Sequence, residues 1–84
     1  MGKLRNGNVI GRNVARFRYQ AGWSQEILAA KIQLLGGYMT RDIVANIESR
    51  RSIVTDKQIE FFTEVFRVEV WELFPQRHPF KRSK

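Results

Sequence analysis

Three hydroxyl residues, Ser24, Thr40 and Thr55, each stand just before a run whose apolar residues recur at spacings of three and four. A hydroxyl in that position accepts from a free N–H of a helix's first turn, and that spacing gathers apolar side chains on one stripe. The chain is therefore constrained to a succession of short amphipathic helices. A first helix precedes Ser24, with Val9 or Ile10, Val14, Phe17 and Ala21 inward and Gly22 as its stop. The second runs from Ser24, with Leu28, Ala29, Ile32 and Leu35 inward, and ends at Gly36 and Gly37. The third, over residues 40–49, aligns Ile43, Val44 and Ile47. Thr55, followed by Asp56, opens a fourth with Ile59, Phe62 and Phe66 inward, and a short fifth over residues 70–74 is closed by Pro75. No alternating strand pattern, repeat or low-complexity segment interrupts this order, so the expected fold is an all-α, compact bundle of about five helices.

An 84-residue chain with 43% apolar residues, among them six Phe and two Trp, fills one modest core and not two. It has no Cys, so no disulfide supports the fold, and a cytoplasmic location is expected. Its apolar clusters are a few residues long and broken by charge, which excludes a membrane span or a secretory leader. The expected organisation is a flexible arm over residues 1–8, a folded domain over 9–74 and a basic tail over 75–84.

The net charge of +7 is unevenly spread. Residues 1–54 carry +6, residues 55–74 carry −3 and the last ten carry +4. One face is thereby suited to a polyanion, although a solvated basic surface has the same composition. The third helix turns Arg41, Asp42, Ala45 and Asn46 away from its apolar stripe and is followed at once by Arg50 and Arg51. A second and third helix joined by a glycine-containing turn, the latter polar on its outer side, make a helix-turn-helix.

The stretches "GWSQEILA", "IES" and "VTDKQIEFFTEVFRVEVWELF" occur in the order found in the Cro and phage-repressor type (XRE-like) helix-turn-helix family, which the chain resembles over residues 9–74. The resemblance implies a lambda-repressor-like fold and a DNA-binding transcriptional regulator, a repressor of prokaryotic or phage type acting on a pseudo-palindromic operator. It also implies that Ser24 and Gln25 open the second helix against the DNA backbone, the glutamine at a phosphate or a neighbouring base, and that Arg18 pairs with Glu48 to lock the third helix to the scaffold. Two departures stand out. The family's turn glycine falls near Gln33, with "IQLLGGYM" lengthening the turn by roughly five residues over the minimal three or four. Arg50 stands where the family often has Gly.

Chemistry gives the outward residues roles in that setting. Arg41 is able to fork onto guanine, Asn46 onto adenine, and Asp42 either accepts from cytosine N4 or favours the helix N-terminus; Ala45 completes the base-facing surface. Arg50 and Arg51, beyond this stretch, are expected at phosphates, the alternative being a solvated loop, with Thr40 as a further backbone contact. Lys31, Arg12 and Arg16 are weaker backbone candidates, each equally readable as surface charge. Phe61 and Val65 fall beside the inward stripe of the fourth helix, and Trp71 points away from the inward Leu73; the three are the expected homodimer patch, the competing reading being that they widen the core of a small monomer.

Double-stranded DNA and a second copy are thus the expected partners, with no membrane, small-molecule ligand, cofactor or metal. Enzymatic activity finds no support: His78 is the only histidine, Gly36 and Gly37 lack a phosphate-loop pattern, and Glu60 and Glu64 read as a solvated face. The alternative is a helix-turn-helix protein-interaction module such as an antitoxin or adaptor. The exposed apolar candidates favour some protein contact in either case.

Overall fold

The computed structural model of the chain describes residues 8–75. These form five helices and, among the described residues, no strand: α1 (Gly11–Ala21), α2 (Gln25–Leu34), α3 (Arg41–Glu48), α4 (Asp56–Phe66) and α5 (Val70–Leu73). The three hydroxyls cap as their spacing requires. Ser24 Oγ accepts from the Ile27 N–H at 3.0 Å, Thr40 Oγ1 from Ile43 at 3.1 Å and Thr55 Oγ1 from Gln58 at 3.1 Å. Gln58 Oε1 in turn accepts from the Thr55 N–H, which completes a reciprocal cap on α4.

Helices α1 to α4 end alike, on a residue with positive φ whose successor donates back across the last turn. The four are Gly22 (φ 78°), Gly36 (95°), Arg50 (65°) and Arg67 (59°). The returning N–H groups of Trp23, Gly37, Arg51 and Val68 meet the carbonyls of Arg18, Ile32, Asn46 and Thr63. Two arginines thus occupy a conformation that disfavours any residue with a Cβ. Arg67 is exposed, and Arg67→Gly is expected to raise stability by about 0.5–1 kcal/mol in urea unfolding. An unchanged or lower midpoint would show that the strain is relieved elsewhere.

The core is built from Ile10, Val14, Leu28, Ile32, Met39, Val44, Ile47, Phe62 and Leu73, all essentially inaccessible. Phe66 sits between Phe17 and Trp23, with ring centroids 5.5 and 5.8 Å away, and walls off one side. Ile10 rather than Val9 is the inward residue before α1, and Ala21 is exposed in its last turn. Leu35 is 40% exposed, because the chain leaves the helical path at Gly36 and Met39 from the next segment fills the space instead.

The fold corrects three expectations. The arm does not extend to residue 8: Asn8 is buried, its Nδ2 donating to the carbonyls of Ile47 at 2.8 Å and Ser52 at 3.0 Å while its Oδ1 accepts from the Gly11 N–H at 2.9 Å. This amide ties the start of α1 to the end of α3. Gly11 permits the approach, since a methyl there would overlap the Ile47 carbonyl oxygen. Residues 1–7 and 76–84, expected as arm and tail, lie outside the described residues.

The connection between α2 and α3 is six residues, 35–40, shorter than a turn counted over "IQLLGGYM" because residues 32–34 of that stretch belong to α2, as its apolar spacing already implied. It is anchored by buried Met39 and by Gln33 Nε2, which donates to the Met39 carbonyl at 2.5 Å. Gly37 lies against Phe61 and Ile32, where an added methyl would come within 2.8–2.9 Å of both side chains.

The Gly37–Phe61 approach changes the reading of the dimer patch. Phe61 covers the connection and Val65 packs beside Phe17, Trp23 and Phe66, so both are half-buried parts of the domain's own core wall. Only Trp71, 61% exposed, remains at the surface as expected. Among the described residues no helix is long and apolar enough to cross a membrane.

Candidate nucleic-acid interface

The α3 sequence "RDIVANIE" separates its faces cleanly. Val44 and Ile47 are buried and Ile43 packs against them, which leaves Arg41 and Asp42 exposed, with Ala45 and Asn46 at the margin. The Arg41 and Asp42 side chains are 56% and 83% accessible and approach each other to 3.5 Å. An ion pair this wet contributes little, so it yields readily to a stronger partner. The Asn46 side-chain amide makes no hydrogen bond among the described residues. A guanidinium and a carboxylate are thus presented on the outer side of α3, with an amide at its margin; Asp42 also stands in the first turn, where a carboxylate favours the helix N-terminus.

What holds α3 in place is a buried polar cluster. Arg18 from α1 meets Glu48 with Nε on Oε2 at 2.6 Å and Nη2 on Oε1 at 2.9 Å, and its Nη1 donates to the Trp23 carbonyl at 2.8 Å. The two side chains are only 7% and 8% accessible. The hydrogen bonds to Glu48 favour the charged guanidinium and outweigh the opposing effect of burial, moving the Arg18 pKa further up. The cluster also claims Gln25, whose Nε2 donates to Glu48 Oε1 at 3.0 Å. Gln25 thus joins the start of α2 to the end of α3 and keeps one N–H for an outside acceptor.

The other expected backbone contacts separate into two groups. Ser24 and Thr40 are helix caps, their oxygens accepting from backbone N–H groups. Thr40 and Arg41 share a shallow groove with Glu26, Ala29, Ala30 and Gln33, so α2 and the start of α3 are adjacent along one side. Lys31 is not on that side. It lies about 160° around α2 from Gln33, and its ammonium sits 4.7 Å from the centre of the Trp23 ring. That cation–π contact directs its charge toward the α1–α4 side, which favours the surface-charge reading of Lys31 over a place in the backbone set.

Arg50 and Arg51 are exposed just beyond α3. Arg50 Nε donates to the Asn8 carbonyl at 3.1 Å, which aims the guanidinium toward α1. There it lines a cleft of about 540 Å³ with Val9, Arg12, Asn13, Arg16 and Pro75. Asn8 went unrecognised in the sequence, because the residue just before α1 is Ile10, which has no side-chain cap, and Asn8 serves the Gly11 N–H from two residues further back.

Among the described residues no three His, Cys, Asp or Glu side chains converge as a metal site would need. No protein-family model, curated protein or solved structure matches the chain.

Proposed function

We propose that the protein is a sequence-specific DNA-binding regulator that inserts α3 into the major groove as the second helix of a helix-turn-helix and acts in the cytoplasm. The observation that carries this reading is the outward face of α3. Arg41, Asp42 and Asn46 are held on a helix that Glu48 fastens to Arg18 and Gln25, and Arg51 and Arg50 follow where the helix would leave the groove. Arg41 and Asn46 have the fork geometry for guanine and adenine, and Asp42 is able to accept from cytosine. Ser24, Gln25, Thr40 and Arg51 would position the domain on phosphates.

Selection of bound sequences from a random duplex pool tests the reading directly. Arg41→Ala and Asn46→Ala are each expected to weaken the preferred site by about 1–3 kcal/mol and to relax one base position, whereas Arg51→Ala weakens all duplexes alike. Recovery of no enriched sequence, with no duplex binding at low salt, would instead support a protein-interaction module, which the exposed Leu34 and Tyr38 beside the α2–α3 connection favour. With Phe61 and Val65 assigned to the core wall, a twofold dimer rests on the exposed Val70 and Trp71 end, and sedimentation at tens of micromolar tests it.

A further inference from the structure

Among the described residues, the cleft between α1 and Pro75 is lined by three arginines, Arg12, Arg16 and Arg50, and by no acidic residue. Two are already positioned by hydrogen bonds that leave their charge intact: Arg16 Nη2 donates to Asn13 Oδ1 at 2.8 Å, and Arg50 Nε donates to the Asn8 carbonyl. Asn13 is itself fixed by donating to the Leu73 carbonyl at 2.9 Å, which sets the distance between the α1 wall and the Pro75 wall. Among the described residues no Asp or Glu pairs with any of the three arginines, and the first turn of α1 contains no acid. Residues 1–7 and 76–84 contain no acidic side chain either, so neither end supplies one. Like charges gathered in a cleft repel one another; Arg16 lies over the Phe17 ring at 5.4 Å, and among the described residues no acidic side chain offsets the three.

We propose that this cleft is a phosphate-binding site, separate from the base-facing surface of α3, which takes an oxyanion carrying at least two negative charges. Guanidiniums fork onto phosphoryl oxygens through paired N–H groups, and a cleft lined by two from α1 and a third from the end of α3 offers such a group several donors. The phosphate belongs either to the backbone of the duplex that α3 reads or to a free polyphosphate; the first source rests on the DNA-binding reading, the second does not.

Inorganic pyrophosphate is the probe, titrated into the full chain by calorimetry and by amide chemical-shift mapping. Saturable binding with shifts at residues 9, 12, 13, 16 and 50 is expected, weakened about tenfold for each guanidinium removed in Arg12→Gln, Arg16→Gln and the double variant, and unaffected by Arg41→Ala. Arg12 and Arg16 lie on the outer side of α1, and circular dichroism verifies that the variants stay folded. Duplex binding by the same variants separates the sources. A salt slope lowered by about one for each arginine replaced, with pyrophosphate competing, assigns the site to the DNA backbone. An unchanged slope with pyrophosphate binding abolished assigns it to a free polyphosphate. Pyrophosphate binding that is absent, or equal in the double variant, together with an unchanged slope, overturns the proposal whether or not the protein binds DNA.

Discussion

Glu48→Leu is expected to destabilise the domain by about 3–5 kcal/mol, because it leaves the Arg18 guanidinium buried and without its countercharge. The opposite truncation, Arg18→Met, leaves the Glu48 carboxylate with only the Gln25 amide as a partner and is expected to be similarly damaging. The double variant removes both charges together and replaces them with apolar groups of comparable length. It should recover part of the stability, though not all of it, since the Trp23 carbonyl and the Gln25 amide are each left short of a hydrogen bond. Chemical denaturation of the three variants measures the coupling, and additive effects would show that the pair contributes nothing jointly. The cluster joins α1, the start of α2 and the end of α3, so the single variants should also loosen the α3 face before the domain unfolds as a whole.

The second large effect is on duplex affinity. Between 50 and 200 mM salt, affinity is expected to fall by about 10³–10⁵ for a twofold pair that neutralises six to ten phosphates, and by about 10² for a single domain with half as many contacts. Fluorescence anisotropy with a labelled duplex over that range reads both the slope and the stoichiometry. With Lys31 held over Trp23, the exposed cations on or just after α3 among the described residues are Arg41, Arg50 and Arg51. Lys31→Gln should therefore leave the slope unchanged, while Arg51→Gln lowers it by about one. Affinity independent of salt would exclude a phosphate-dominated contact and with it the regulator reading.

Helix existence was written in local chemistry. Ser24, Thr40 and Thr55 cap because a hydroxyl next to the first free N–H groups needs nothing from the rest of the chain. Gly22 and Gly36 stop their helices for an equally local reason, their access to positive φ. The two faces of α3 were legible too, since Ile43, Val44 and Ile47 share a stripe wherever the helix is placed, and the remaining polar residues must face away.

Properties that depend on which surfaces meet were decided only by the tertiary structure. Phe61 and Val65 lie off the main stripe of α4, yet the α2–α3 connection brings Gly37 against Phe61 and the Trp23–Phe66 stack approaches Val65, so an apparent interface became core wall. Helix phase already put Lys31 on the side of α2 away from Gln33, but the Trp23 ring that its ammonium meets there is brought beside it only by packing. Asn8 looked like part of an arm, and its burial depends on two carbonyls about forty positions further on, Ile47 and Ser52, which no local pattern announces. The same holds for the cleft: Arg12 and Arg16 share a helix face in sequence, but Arg50 reaches them because α3 ends in a left-handed turn against Gly11. Periodicity and capping act within a turn or two of helix, so the sequence determined the helices and their faces, while the partner of each face follows from long-range packing among all five.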